Sequence, residues 1–590
     1  MKKIAFCLAL GLFAAACACA AEPKRPNIVV LVADDWGFSD VGAFGGEIAT
    51  PRLDELARNG VRFSNFHVAA SCSPTRSMLL TGVDNHRNGV GNLREAMPQE
   101  HLGKPGYLGS LDTNVVTVAT LLQDAGYRTA IAGKWNVGSE PHNLPNRRGF
   151  DRSIVQGDTG SDNWEPSKRY LPHSDKVHWF ENGLPAAMPS TFYSSAYFVD
   201  RMLEYLKAGP KEGKPFFAYL GFQANHVPVQ APKEFIDKYK GRYNDGWAVL
   251  RTERRNKAIA LGLIPKDTPM VTMSTTADWN KLSPKEKLYE AKRMEVYAGM
   301  ADAMDFHVGR LVDYLKQTGE FDNTVFVFLS DNGPEGNDYN EAKLWLLTQY
   351  SLDIEKMGAK GGYGVPGPSW ASASAAPLSS YKFYAGEGGI RSPLIISGAA
   401  GALRNSIHTS FAHVNDIVPT LLELAQVAAP GADYKGAQIA PLAGRSLVSV
   451  IRGQSPSVYP ADQAVGYELS GNLALFKGGL KLVKNTPPLG DGAWHLYDIS
   501  KDPGETTDLQ LTLPDAFKTM QQDYAQYAQS HGVLPMPANY KPARQVFING
   551  LHNYWIPTYR NTVLAGLAGL AGVLLLWLYK KRRKSTGAPT

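Results

Sequence analysis

Residues 27–35 read NIVVLVADD, a near-continuous apolar run that ends in two carboxylates. A strand with one solvated face alternates polar and apolar positions, whereas an unbroken run suits a strand buried on both faces of a parallel sheet. Helical periodicity follows in 50-TPRLDELARNG-60, where Leu53, Leu56 and Ala57 share a face. Thr50 is the expected N-cap, Pro51 suits the first helical position and Gly60 is the expected stop. Helix-then-strand units recur at 116-VTVATLLQDAGYRTAIAGK-134 and at 307-HVGRLVDYLKQTGEFDNTVFVFLSDNG-333. Such alternation predicts a doubly wound α/β sheet.

The stretch 353-DIEKMGAKGGYGVPGPSWASASAAP-377 is rich in Gly, Ser, Ala and Pro and predicts a long loop. The helix 416-DIVPTLLELAQV-427 closes the main domain. From about residue 455 the texture changes to short strands and turns, as in 473-LALFKGGLKLVKN-485 and 494-WHLYDISKDPGE-505, with an amphipathic helix near 513–531. The expected organisation is a main α/β domain over 22–450, an α+β subdomain over 451–535 and a stalk containing proline and aromatic residues over 536–560.

Both ends carry apolar segments. The leader 1-MKKIAFCLALGLFAAACACA-20 has two lysines, an apolar run and small residues near Ala18–Ala21, the pattern of a signal peptide over 1–21. Alanine at the third position before Cys17 and before Cys19 favours plain cleavage over lipoprotein processing. At the other end, 562-TVLAGLAGLAGVLLLWLY-579 offers eighteen uncharged residues and is followed at once by 580-KKRRK-584. A bilayer core of roughly 30 Å calls for about that length, and a basic flank marks the cytoplasmic side. The expectation is an exported chain, periplasmic or extracellular, held in the inner membrane by a helix over 561–579 with a basic tail over 580–590. A sorting tail removed after export is the alternative. The formal charge of +6 loses two units with Lys2 and Lys3 and five with the tail cations, leaving −1 on the globular part. Nucleic acid is therefore not an expected partner.

Two strong strands end in oxygen donors: Asp34 and Asp35 after the first, Asp331 and Asn332 after 324-TVFVFLS-330. Ligands of open parallel sheets sit beyond the carboxyl ends of the strands. Three carboxylates gathered there repel one another without a cation, and all-oxygen ligation suits calcium or magnesium better than zinc. The chain has four cysteines, of which Cys7, Cys17 and Cys19 lie in the leader. Cys72 thus has no disulfide partner in a processed chain, and 71-SCSPTRSMLLTG-82 places it at a helix N-terminus, where amides and dipole favour an anion. A small buried hydrophobe is the plain structural reading of such a cysteine. A thiolate phosphatase of the Cys-x5-Arg kind does not fit, because only three residues separate Cys72 from Arg76.

The same residues resemble the signature of type I, formylglycine-dependent sulfatases, with the look of bacterial arylsulfatases. The likeness runs in order through 33-ADDWGFSDVGAFGGEIATPRLDELA-57, Cys72–Gly82, 132-AGKWNVG-138, 225-NHVP-228, 330-SDNG-333, 386-GEGGIRSP-393 and 496-LYDISKDPGE-505. It implies an alkaline-phosphatase-like α/β sandwich, with a large mixed, mostly parallel sheet flanked by helices and a smaller C-terminal antiparallel sheet with a helix. It also implies that a separate maturation enzyme, reading Cys-x-Pro-x-Arg, oxidises Cys72 to formylglycine (3-oxoalanine). The hydrated aldehyde is then the nucleophile in the hydrolysis of sulfate esters, aryl sulfates first, through a covalent sulfo-enzyme intermediate. Asp34, Asp35, Asp331, Asn332 and the modified Cys72 match the ligands of one calcium ion. Arg76 and Lys134 match positions that hold the formylglycine, His226 the histidine that protonates the leaving group, and Lys382 a lysine that binds sulfate.

One position departs from the pattern. The family shows Gly-Lys-Trp-His where this chain has Gly133-Lys134-Trp135-Asn136. The missing histidine takes a proton as sulfate is eliminated, and an amide cannot act as that base near neutral pH. The alternatives kept for this reason are a phosphonate or phosphate ester hydrolase of the same superfamily, and a non-catalytic binder of sulfated ligands.

Overall fold

The computed structural model describes residues 24–172, 176–209 and 213–585. The expected signal peptide and the last five residues of the basic tail lie outside the described residues.

Seven strands make the body of the main sheet: β1 (Asn27–Ala33), β2 (Gly60–His67), β3 (Arg128–Lys134), β4 (Arg152–Gln156), β5 (Phe216–Gly221), β6 (Thr324–Ser330) and β7 (Arg391–Ser397). Their order across the sheet is β2-β7-β6-β1-β5-β3-β4, with short strands added at both edges. β6, β1, β5, β3 and β4 pair in parallel, while β7 runs antiparallel between β6 and β2. The sheet is therefore mixed and mostly parallel, as expected.

The unbroken apolar run of β1 has a direct explanation. Val29, Leu31 and Ala33 point into one core, and Ile28, Val30 and Val32 into a second core on the opposite face. Period-two alternation is still present, but each face meets its own helical layer. One layer includes α1 (Pro51–Arg58) and the long α3 (Pro284–Gln317); the other includes α2 (Cys72–Thr81).

Three local expectations are corrected. Thr50 stands at the N-cap of α1 as expected, but its side chain does not cap the helix: its hydroxyl accepts from the Gly42 N–H (2.9 Å) and donates to Asp54 (3.2 Å). The free N–H groups of Arg52 and Leu53 are instead taken by Asp305 of α3 at 3.1 and 2.8 Å, a cap supplied from more than 250 residues away in sequence. Gly60 does not stop the helix either; Asn59 does, and Gly60 begins β2. A Cβ at Gly60 would lie 2.2 Å from the Ile396 carbonyl oxygen, so close approach of β7 requires the glycine. Finally, residues 353–377 are not one long loop, because Gly367–Ser374 forms a buried helix. Its small residues let it press against the loop after β1, where the Ser374 carbonyl accepts from the Ser39 N–H at 3.2 Å.

The C-terminal sheet is an antiparallel meander over Ala464–Leu469, Asn472–Lys477, Leu480–Lys484 and His495–Asp498. The amphipathic helix, here Pro514–His531, covers it through Met520 and Tyr524. A buried charge network joins this subdomain to the main sheet. Glu387 contacts His67 (3.1 Å), Arg391 (3.2 Å) and Lys481 (2.7 Å), and Lys481 also reaches Glu505 at 2.7 Å. The motif around Gly386–Pro393 and the one ending in Glu505 thus meet at a seam between the two units.

Two short helices complete the relevant set: α4 (Lys343–Gln349), beyond β6, and α5 (Pro542–Gly550). The expected stalk is helical from Pro542 onward and continues through a π-turn into α6 (Ile556–Ser585). The helical stretch Pro542–Arg582 is long and apolar enough to cross a membrane, and its apolar window is entirely exposed. Its first part is docked on the main domain, where the Asn549 amide donates to the carbonyls of Glu95 (2.8 Å) and Met97 (2.9 Å).

A second clamp between the units sits at His86, whose Nε2 lies 2.7 Å from Glu468 and whose Nδ1 lies 3.4 Å from Asp84. Burial opposes its charge, but Asp84 and Glu468 outweigh that and push its pKa up to about 9. An unfolded histidine titrates near 6.5, so the clamp's contribution, of order 3 kcal/mol, is complete below about pH 6.5 and is lost as pH rises through 9. The melting temperature is expected to fall between pH 7 and 9.5, and His86→Gln should flatten that slope while lowering stability at pH 7. Parallel melting curves for parent and variant across this range would sink the assignment.

Candidate active site

Sheet register brings the chemistry together. Ala33 of β1 pairs with Ser330 of β6, so Asp34–Asp35 and Asp331–Asn332 leave the sheet side by side. On the other flank Gly133 of β3 pairs with Gly221 of β5, which puts Lys134 and the chain leading to His226 at the same edge. Gly221 has a steric reason to be glycine: a Cβ there would lie 2.6 Å from the Lys134 carbonyl and 2.9 Å from the Arg76 guanidinium.

Cys72 begins α2, a helix in which all ten residues are buried and which ends at the left-handed Gly82. Its Sγ lies 3.3 Å from Asp34 Oδ1. Arg76, one turn along the same helix, donates from Nε to Asp331 Oδ2 (2.8 Å), and its Nη2 lies 2.7 Å from the same oxygen and 3.7 Å from Asp34 as an ion-pair contact. Lys134 Nζ donates to Asp34 at 2.6 Å, and Lys382 Nζ to both oxygens of Asp35 at 2.7 and 3.0 Å. Three buried carboxylates and three buried cations therefore neutralise one another pair by pair.

Burial pushes the Cys72 thiol well above its usual range, with Asp331 and Asp34 adding to the effect. As a thiol this residue is neutral and a poor nucleophile. Burial acts to raise Asp35, but Lys382, His226 and Lys134 outweigh it and bring the carboxyl to about 2. Burial lowers the His226 imidazole well below 6.5, and Lys134 and Lys382 lower it further. Because the Val227 carbonyl 2.8 Å from Nδ1 can only accept, the ring proton belongs on Nδ1, leaving Nε2 with a free lone pair.

The donor chemistry suits a hard divalent cation. Ligand atoms of Asp34, Asp35, Asp331 and Cys72 lie within 4.8 Å of one another. Asn332 donates its amide hydrogens to Asp35 (2.6 Å) and to the Gly333 carbonyl (2.8 Å), which leaves its buried Oδ1 without a partner among the described residues. A buried, unpaired amide oxygen on the residue next to Asp331 suits a positive ligand.

Nine of the ten residues singled out from the sequence are thus linked by contacts at one edge. A ring nitrogen of His226 comes within 4.8 Å of Asp34 and Cys72 ligand atoms, which includes it in the group. Asn136 stands slightly apart: it lies two residues past Lys134, in the left-handed region (φ 57°), with a buried Oδ1 that has no partner among the described residues. Two further residues were not anticipated. Glu335 is buried 3.5 Å from Lys382 Nζ, and Tyr170 sets its ring edge on His226 at 5.1 Å between centroids. Glu335 is only five residues beyond β6 in an acidic turn, a usable signal; Tyr170 lies in a long loop whose sequence carries none.

The model of the family described as "Sulfatase" matches residues 26–427. The chain is 39% identical over 537 residues to an uncharacterized sulfatase of Schizosaccharomyces pombe, covering 88% of this chain and 96% of that one. It is 36% identical over 471 residues to the arylsulfatase of Klebsiella aerogenes, covering 79% and 99% respectively. The fold matches the solved structure of Ps i-CgsB in complex with k-i-k-neocarrahexaose with a TM-score of 0.61 at 21% identity, over 91% of this chain and 99% of that one. With the motifs in order, the sheet topology and these matches in agreement, the chain belongs to the sulfatase family and is a sulfuric ester hydrolase.

Proposed function

We propose that the protein hydrolyses aryl sulfates with a nucleophile derived from Cys72. The observation that carries this reading is the buried Cys72 Sγ, 3.3 Å from Asp34 Oδ1 and grouped with Asp35 and Asp331 in a cluster of paired carboxylates and cations. A thiol held neutral has no evident chemistry there, whereas its oxidation to formylglycine by a maturation enzyme gives the residue one. The hydrated aldehyde supplies one hydroxyl to attack sulfur and a second to expel sulfate as the aldehyde re-forms. Asp34, Asp35, Asp331, Asn332 and the modified Cys72 would hold calcium, which would supply positive charge toward an anionic sulfate group.

The chain's own residues do the rest. Arg76 cannot leave its two carboxylates without exposing buried charge, so it fixes the start of α2 and the position of residue 72. Lys134 and Lys382 are already desolvated and aimed, which favours binding of an anionic sulfate group without reorganisation. His226 faces the leaving oxygen with an unprotonated Nε2. It must first gain a proton to act as acid, and the negative charge of bound sulfate ester favours that gain. Asn136 can orient a hydroxyl or water with its free Oδ1 but cannot remove a proton. Export and anchoring by the helix over 561–579 complete the reading.

The second reading, a phosphonate or phosphate ester hydrolase, is favoured only by Asn136, as is a non-catalytic binder of sulfated ligands. An aryl sulfate and an aryl phosphonate monoester offered to the same preparation separate them, with faster sulfate turnover expected; faster phosphonate turnover reverses the order. Mass spectrometry of the peptide carrying Cys72 should show the sulfur lost, and Cys72→Ala should abolish turnover by a factor on the order of 10³ or more. An intact, unmodified cysteine in active enzyme would refute the nucleophile assigned here.

Removal of divalent ions with a chelator is expected to suppress activity, with calcium restoring it better than magnesium. Asn136→His is compatible with the backbone, since histidine tolerates the left-handed region. A positioned base contributes roughly 10²–10⁴-fold, so kcat should rise by about tenfold or more if proton removal limits release. An unchanged kcat would show that another group already takes this proton.

A further inference from the structure

Two segments that carry residues beside the site approach the helix proposed to enter the membrane, one by direct contact and the other through Arg169. One holds Tyr170, whose ring edge sits on His226, and its neighbour Arg169 lies over the Tyr554 ring at 5.0 Å and over the Trp345 ring at 5.7 Å. The Pro172 carbonyl of the same segment accepts from the Trp555 indole N–H at 3.0 Å. The other segment starts at Glu335, beside Lys382, passes through Tyr339 (2.8 Å from Glu335) and runs into α4. Trp555 in turn stacks on Tyr559 at 5.3 Å, just ahead of the apolar span. Aromatic rings in that place mark the level of the lipid headgroups.

At this level α4 turns apolar side chains outward. Its sequence is KLWLLTQ, in which Leu346 is buried while Leu344 is 83% and Leu347 54% exposed. Leu344 and Leu347 stand three residues apart on one face of the helix, next to the aromatic rings that precede the apolar span, an arrangement that suits the headgroup–acyl boundary. The Trp345–Arg169–Tyr554 stack fixes them beside the anchor.

We propose that α4 rests on the bilayer crossed by the C-terminal helix, with Leu344 and Leu347 inserted at its surface. The mouth of the active site then opens at the lipid surface, and its substrates are sulfate esters of membrane-resident amphiphiles. This rests on the sulfate-ester reading and on the membrane anchor.

The test uses the full chain in phosphatidylcholine vesicles, with a nitroxide on Leu344→Cys or Leu347→Cys and a control on Leu511→Cys, which is 89% exposed on the C-terminal subdomain. Cys72 is fully buried and does not take the label, and Cys7, Cys17 and Cys19 are changed to alanine in every labelled chain. Labels at 344 and 347 should be relaxed more by oxygen than by an aqueous nickel chelate, with the opposite order at 511. Equal aqueous access at all three positions overturns the docking. Failure of the full chain to float with vesicles overturns the anchor and the docking together.

For the substrate class, the Leu344→Ser/Leu347→Ser double variant should lose about tenfold in turnover of a long-chain alkyl sulfate carried in the vesicles. Its rate on a soluble aryl sulfate should stay at the parent's. Equal losses on both substrates, or a parent no faster on the vesicle-borne ester than on the same ester free of lipid, overturn the assignment. A parent inactive on every sulfate ester sinks the enzymatic reading instead, while the label positions still decide the docking.

Discussion

Charge compensation at a sheet edge without water governs this structure. Asp34, Asp35 and Asp331 sit beyond the carboxyl ends of adjacent parallel strands because the Ala33–Ser330 register puts them there. Burying like charges side by side is strongly unfavourable unless each meets an opposite charge at contact distance. Arg76 answers for Asp331 and part of Asp34, Lys134 for Asp34, and Lys382 for Asp35. These cations come from a helix, a strand end and a distant loop, so neutralising the edge also ties α2, β3 and the segment after residue 377 to the centre of the sheet. The geometry that suits a sulfate group is thus also what the fold needs in order to close.

A second buried set of charges does a different job. Glu387, Lys481 and Glu505 bind the C-terminal sheet to β2 and β7, with His67 and Arg391 on the same carboxylate. Both motifs belong to the family likeness read from the sequence, and their contacts tie the C-terminal sheet to the main sheet. Position beyond the carboxyl edge of β1, β3, β5 and β6 separates the site residues from these; residue type does not.

Much of this was legible in the chain. The unbroken run of β1, the paired donors at Asp34–Asp35 and Asp331–Asn332, and the Cys72–Gly82 helix all depend on short-range pattern, and pattern suffices for them. Features decided by distant partners were hidden. No local signal shows that Asp305 rather than Thr50 would cap α1, or that Ala- and Ser-rich residues 367–374 would be helical because a neighbouring backbone demands small side chains. Tyr170 was invisible for the same reason, since its meaning comes from His226, far off in sequence. The stalk was read from its prolines and aromatics as a spacer. Its helix has tertiary contacts that composition does not reveal.

The complete burial of α2 has a consequence in time. Cys72 and its nine helical successors are all buried, and Arg76 holds the helix by charges that cannot be released singly. No second protein can close around Cys-Ser-Pro-Thr-Arg once this core has formed. The alteration of Cys72 that the proposed function calls for would therefore have to precede the packing of β1 against β6. Its yield would then depend on the speed of the altering enzyme against the speed of folding, and a variant that folds faster would leave more chains with an ordinary cysteine sealed inside.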